Sequence, residues 1–448
     1  MHKLTITLKQ HTPLIHFQHD QEGATLRASE VKPKLDKFII RKLKESGEYD
    51  NGVQKGWIKK KNDKEWLDYK MRIYTPSVSN RNIGEKEIIP MYFGNMSSDN
   101  IKGISYSTKS FDLKFFSPHH DLLDIIKKNK LSFFVLNNFG SRQSKGYGSF
   151  LPDDSSVADI IKSQGYFYFN YRPRYQFPIS TPKEFSFLFQ QIDLFYKTIR
   201  SGINQQGSYF KSMMYHYAKY QQQYWDKRAI RYNFGLFTSK KDKKELFPSS
   251  LPNKHILDLG EKTDLFNDEE KGTNSDTALL YRDILGLSTS QEWMKYGATI
   301  IKENPEIERF KSPILIKPLC DFERNRYVVF IIPLEVDKDY LGKSVNISIK
   351  YKEREPKQNE TEEEKQRREA LMAKRKRRNQ QPMTLDIPKD FVIADYLEYI
   401  FKGEGRAIVE SQIKEMSDTV NSWNKEQKRW EEKSNNIKSS LKRIYNIK

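Results

Sequence analysis

The chain has a single cysteine, Cys320. No intramolecular disulfide can form, and the apolar stretch Ile314–Cys320 around the thiol reads as buried rather than reactive. No run approaches the roughly 20 apolar residues needed to span a bilayer. The first ten residues alternate like a strand and do not form the apolar core of a signal peptide. A soluble, cytoplasmic protein without a membrane partner is expected. The sequence also has no G-x-S-x-G elbow, no H-E-x-x-H, no paired cysteines and no clustered carboxylates of a two-metal site. No catalytic residue, metal ligand set or cofactor is therefore assigned.

What the chain does have is length, aromatic content and positive charge. Its 448 residues suffice for two or three domains. Charged residues make up 31% and hydrophobic ones only 37%, but aromatics at 13% are too abundant for a disordered protein. The net charge of +19 favours anionic partners, most simply nucleic acid. A generally lysine-rich composition would produce the same balance.

The segment GSRQSKGYG, Gly140–Gly148, carries the most information. Gly140, Gly146 and Gly148 bracket Arg142 and Lys145, and Tyr147 lies between the last two glycines. Glycine permits positive φ and leaves room for a ligand backbone, and exposed amides in such a turn can hold an anion. Two cations and an aromatic ring suit phosphate and base together. The same residues also read as a plain glycine turn with solvated charges. The spacing excludes a P-loop, which needs G-x4-G-K-[ST], and a dinucleotide loop, whose close glycine pair comes first.

Periodicity predicts an α+β chain. Leu4, Ile6 and Leu8 mark a half-buried strand, and a helix is expected from Ser29 to about Leu43. Glu48–Lys64 reads as a loop. Ile104–Phe116 reads as extended, Leu122–Ile126 as a short helix, and Leu131–Leu136 as a strand before the glycine loop and a strand through Tyr147–Phe150. This order is compatible with a β-α-β-β-α-β ferredoxin-like unit. Gly165–Tyr171 is a further strand. Thr181, Pro182 and Glu184 then form a capping box for a helix that ends in IRSGIN, Ile199–Asn204. A second helix is expected over Ser208–Ala229, and strands at Ser312–Pro318, Arg326–Ile332 and Ser344–Tyr351. Lys352–Met383 is a charged block ending in KRKRR, read either as a solvated insertion or as an RNA contact. A helix over Phe391–Phe401 stops at Gly403. Trp423, Trp430, Ile437, Leu441 and Ile444 form a stripe that would dock on the protein's own core or on a partner subunit. The expected division is 1–160 for a first module with the glycine loop, 161–305 for a strand and helical insertions, and 306–448 for a second module with the basic insertion 352–383.

His11, His16 and His19 cluster as H-x4-H-x2-H. They read as polar loop histidines, or as a metal site or a general acid/base pair for RNA cleavage. Arg200, beside Gly202, is ordinary C-capping chemistry, but its aromatic and basic neighbourhood also suits RNA.

These residues resemble a family. The glycine loop before a strand, in a ferredoxin-like order, is similar to that of the RAMP superfamily of CRISPR-associated RNA-binding proteins. TPL (Thr12–Leu14), LRASEVKPKLDKFI (Leu26–Ile39), IRSGIN and RFKSPILIKPL (Arg309–Leu319) look like motifs of the largest RAMP subunit of type III-B (Cmr) effector complexes. The resemblance implies two ferredoxin-like, RRM-like modules with helical insertions. It also implies a subunit at the end of the complex that meets the 3′ portion of target RNA and binds RNA without cutting it. Its partners would be crRNA, target RNA and other RAMP subunits. Arg27, Lys32 and Lys37 would line one side of a groove and the glycine loop the other. Arg142 and Lys145 would contact phosphates, Tyr147 would stack on a base, and Arg200 would contact RNA. The alternative is a metal-independent RAMP endoribonuclease that processes repeat RNA with a loop histidine.

Overall fold

A computed structural model describes residues 1–15, 25–75, 104–180, 182–205, 208–234, 236, 278–287, 289–293, 296–307, 310–351, 361–363, 365–366, 369–370, 373, 383–416 and 436–447. The chain divides into two compact units. The first comprises Met1–Leu194 and Ile314–Ile332, and the second Phe195–Pro313 and Pro333–Ile447.

The first unit holds a four-stranded antiparallel sheet in the spatial order Lys70–Tyr74, Phe111–Ser117, His2–Gln10, Phe150–Pro152. In chain order these are strands two, three, one and four. With the helix Ala28–Glu45 after the first strand and His120–Val135 after the third, this is the expected ferredoxin-like arrangement. Leu8, Leu113 and Phe115 point to one face of the sheet. There they meet Val31, Leu35, Phe38 and Ile39 of the first helix and Leu122, Ile126 and Phe133 of the second in one core.

Two local predictions are corrected in this unit. Leu131–Leu136 is no strand, because residues 131–135 complete the helix His120–Val135. A short apolar run does not distinguish strand from helix, and here Phe133 and Phe134 extend the stripe begun by Leu122 and Ile126. Glu48–Lys64 is also more than a loop: it holds the helix Tyr49–Gln54 and the hairpin Ile58–Lys61/Lys64–Leu67. The hairpin turns on Asn62 and Asp63, both at positive φ (48° and 58°), as a two-residue turn of the twist-matching kind requires.

A second sheet in this unit joins Phe167–Tyr171 to two strands from much later in the chain, Ile314–Asp321 and Arg326–Pro333. Every residue of Ile314–Asp321 is buried, including Lys317. The Lys317 ammonium donates to Asn137 O (2.9 Å), Asn138 Oδ1 (3.0 Å) and Phe150 O (3.1 Å), one acceptor for each of its protons. It ties this late strand to the end of the second helix and to the fourth strand of the ferredoxin-like sheet, the two ends of the glycine loop.

The helix Pro182–Arg200 buries Phe185, Leu188, Phe189, Ile192, Phe195 and Ile199 on its spaced stripe, as expected, and the unit boundary falls after Leu194. Thr181 of the proposed capping box lies outside the described residues. Glu184, the other residue of that box, accepts from the amide of Arg174.

The second unit is built on a six-stranded sheet in the order Tyr224–Trp225, Ala278–Leu279, Met383–Asp386, Ser344–Tyr351, Ala298–Glu303, Ser290–Trp293. The strand Ser344–Tyr351 has the bounds read from its alternation, with Val345, Ile347 and Ile349 buried. The helix expected over Ser208–Ala229 is corrected. Ser208–Phe210 pairs with Ile203–Gln205, and two helices follow, Met213–Tyr220 and Asp226–Asn233, separated at Gln222 with φ 56°. Leu441 and Ile444 are buried in this unit's core, where the hydroxyl of nearby Tyr445 bonds Thr198 Oγ1 (2.5 Å). Trp423, Trp430 and the KRKRR block lie outside the described residues.

Replacing Lys317 by methionine keeps the apolar stem but leaves three buried acceptors without a donor. At about 1–3 kcal/mol for an unsatisfied buried group, a loss of roughly 3 kcal/mol or more is expected, read as a lower denaturant midpoint at unchanged slope.

Candidate nucleic-acid interface

The structure packs the glycine loop tightly against the segment that follows the first strand. Thr12 Oγ1 donates to Gly146 O (2.7 Å) and accepts from Ser149 N (3.0 Å). Gly148 N donates to Pro13 O (2.8 Å) and Ser141 N to Ile15 O (2.7 Å). The TPL residues are thus the floor on which the loop lies. The far side of the loop is held by the late strand, where Ile316 N donates to Ser144 O (3.3 Å).

This packing corrects the reading of the glycines as room for a ligand. All three have positive φ (76°, 88° and 64°), but the space a Cβ would need is filled by the protein itself. A Cβ on Gly140 would collide with the carbonyl of Ile15, one on Gly146 with Pro318, and one on Gly148 with the carbonyl of Phe139. The amides of Gly140, Ser141, Lys145, Gly146, Gly148 and Ser149 are all given to protein acceptors, so they form no open anion cradle. Tyr147 is likewise withdrawn. Its ring is buried and lies parallel to Phe189 with centroids 3.9 Å apart, so a base cannot stack on that face.

What the loop presents is side chains. Residues 141–145 are half-buried. Arg142 sits at φ 60°, a region that residues other than glycine seldom occupy and that is enriched at functional positions. Burial pulls its guanidinium below the ordinary arginine value, a desolvation cost that an anion beside it would offset.

The first helix and the loop are clasped by Glu30. One of its carboxylate oxygens accepts from Gly140 N (2.7 Å) and from Lys34 Nζ (3.1 Å), and Lys34 also donates to Asn138 O (3.0 Å). Of the helix residues expected at a groove, Lys32 is committed inward. Its ammonium bonds Asp36 (2.9 Å) and Leu67 O (3.1 Å) and lies 3.8 Å from the centroid of Tyr69. Arg27, at the helix N-cap, is half-buried, and Lys37 is exposed. Arg200 belongs to the second unit and donates to Gly286 O (2.6 Å) and Arg282 O (3.4 Å), carbonyls distant in sequence and not those of its own helix. The clasp joins the helix that carries Arg27 and Lys37 to the loop that carries Arg142 and Lys145.

His11 is enclosed. Its Nδ1 accepts from Cys320 N (2.8 Å), and burial, then Lys317 and Lys9, lowers it from 6.5 to about 3. A ring that stays neutral over the physiological range and is shut from solvent is a poor acid or base for RNA chemistry. His16 and His19 lie outside the described residues, and no group of three or more potential metal ligands occurs among the described ones.

Glu30, Asn138 and Lys317 were not singled out from the sequence. Lys317 did leave a signal: a lone lysine inside the apolar run ILIKPLC must be partnered if the run is a buried strand. Glu30 left only an ordinary i,i+4 spacing to Lys34 and Asn138 left none, because the contacts that matter, to Gly140 N and to Lys317 and Ile316 O, come from residues distant in sequence.

Residues 1–203 match the family model of the Cmr1 N-terminal domain, and residues 209–430 that of the Cmr1 C-terminal domain. No curated protein gives a significant match.

Two outcomes are expected. Gly148→Ala adds a backbone collision to the left-handed φ, whereas Gly165→Ala (φ 63°) meets nothing within 4 Å. The first should cost roughly 2–4 kcal/mol and the second about 1 kcal/mol, compared by thermal melts. His11 has a folded value below its unfolded one, so the unfolded chain takes up a proton that the folded chain refuses. Stability should therefore fall as pH drops from about 6.5 toward 3, and His11→Gln should flatten that dependence in denaturant titrations.

Proposed function

The chain belongs to the Cmr1 family, and from that membership we propose a non-catalytic RNA-binding subunit at one end of a type III-B CRISPR effector complex. Family membership itself makes it a Cmr complex subunit. The finer reading is that it holds the 3′ portion of the target RNA and crRNA duplex, alongside the other RAMP subunits, without cutting it.

The observation that carries this reading is the Glu30 clasp. It fixes the start of the first helix against the glycine loop, so cations distant in sequence act from a rigid frame. A ligand held there would meet side chains of Arg27, Lys37, Arg142 and Lys145, which suits a phosphate backbone better than a base. Contacts of that kind position RNA without selecting its sequence. The chain's charge of +19 supports the same class of partner. The enclosed, neutral His11 supports binding over cleavage.

Arg142→Ala combined with Lys145→Ala should weaken single-stranded RNA binding. Each lost contact should lower the slope of log affinity against log salt by about 0.7. Unchanged affinity and slope would refute this reading of the loop. Site-specific cleavage of repeat RNA in EDTA, abolished by His16→Ala, would replace it with the endoribonuclease.

A further inference from the structure

The helices cover one face of the ferredoxin-like sheet, and the strand register defines what stands on the other. Across three strands the outer-face rows are Lys3–Phe116–Lys70, Thr5–Lys114–Arg72 and Thr7–Asp112–Tyr74. Lys3, Lys70, Arg72 and Tyr74 are exposed. Lys3, Lys70 and Arg72 have no ion-pair partner among the described residues. The sole acid in these rows, Asp112, accepts from Thr7 Oγ1 (3.0 Å). Lys114 lies over the Tyr74 ring, 4.0 Å from its centroid.

Folding alone gives no reason for this pattern. Lys114 and Arg72 stand directly opposite each other, an arrangement of like charges that costs stability in a sheet. Lys3 and Lys70 flank the aromatic Phe116 on both sides within about 10 Å, two strand spacings. The fourth strand differs. Its outer-face residue Leu151, opposite Lys9, is buried, so the cationic rows are confined to the three strands ending at the sheet edge Lys70–Tyr74.

We propose that this open sheet face is a second RNA-binding surface of the chain, taking a single-stranded segment whose phosphates meet Lys3, Lys70, Arg72 and Lys114 and whose bases stack on Tyr74 and Phe116. The inference rests on the RNA-binding function proposed above, but it concerns residues apart from the helix and loop clasp. Charge complementarity selects the occupant: four cations against one carboxylate, itself hydrogen-bonded, exclude a cationic or purely apolar partner. The aromatic rings favour an unpaired strand over a duplex, whose bases are already stacked.

The test uses the full chain and a fluorescent oligouridine 20-mer, with affinity measured by anisotropy across a potassium chloride series. In the Lys3→Gln/Lys70→Gln/Arg72→Gln variant the log–log slope should fall by about 2, from about 0.7 for each of three lost contacts. Tyr74→Ala should weaken binding about fivefold or more, and Tyr74→Phe should restore it. All these side chains are exposed, so melting temperatures should match wild type and exclude misfolding. Wild-type RNA binding that responds to the Arg142/Lys145 pair but not to these variants would overturn the sheet surface and leave the proposed function standing. That outcome is also expected if the face docks a protein instead. Absence of any salt-dependent RNA binding by the wild type would overturn both.

Discussion

The buried ammonium of Lys317 is the contact on which the first unit's working edge depends. It comes from a strand more than 160 residues after the elements it joins, and its three bonds end on Asn137, Asn138 and Phe150. Those acceptors bracket the glycine loop. Because the amine is sealed from water, each bond must be made by protein, and the geometry tolerates little displacement. The same strand passes beside the loop, with Ile316 bonded to Ser144 and Pro318 against Gly146. The ferredoxin-like module is therefore completed in space by a piece of chain that the sequence supplies much later.

That completion explains why the loop is a scaffold and not a cradle. Gly140 and Gly148 relieve crowding against the chain's own carbonyls and Gly146 against Pro318, and the amides of all three glycines are given to protein acceptors. Tyr147 anchors it by stacking on Phe189. A loop made rigid in this way can hold Arg142 in an unusual backbone conformation and partly desolvated. A solvated, mobile turn would let the side chain relax into water. Electrostatics then acts from a fixed position, the condition under which a cation contributes most to holding an anion.

A buried four-charge cluster gives the second unit a comparable centre. Arg282 bonds Asp226 with two nitrogens (2.6 and 3.3 Å), and Lys302, fully buried, bonds Asp283. Each of the two buried acids faces a buried base, Asp226 facing Arg282 and Asp283 facing Lys302. Such a network contributes less to stability than to fixing one arrangement, since removing any member leaves a charge without its partner.

The first strand, both helices and the extended region at Ile104–Phe116 were legible in the sequence, whereas the edge strand Lys70–Tyr74 was not. Alternation at Leu4, Ile6 and Leu8 and at Val345, Ile347 and Ile349 marks strands because side chains on a strand repeat every second residue, a purely local property. The glycine positions, the first helix and the motifs around Thr12 and Arg309 were equally local and pointed to the family that the chain belongs to. Leu131–Leu136 was misread because a run of consecutive apolar residues has no period, and only the neighbouring helix stripe decides its state. The sequence could also show that Arg142, Lys145, Lys32 and Tyr147 were present near glycines or on a helix. It could not show which of them the protein uses for itself. Tertiary structure alone decided that Tyr147 stacks inward, that Lys32 bonds Leu67 O and lies over Tyr69, that Glu30 clasps the loop, and that Lys3, Lys70, Arg72 and Tyr74 share one open face. The physical reason is that strand register and burial depend on partners dozens to hundreds of residues away, and no local pattern encodes which partner arrives.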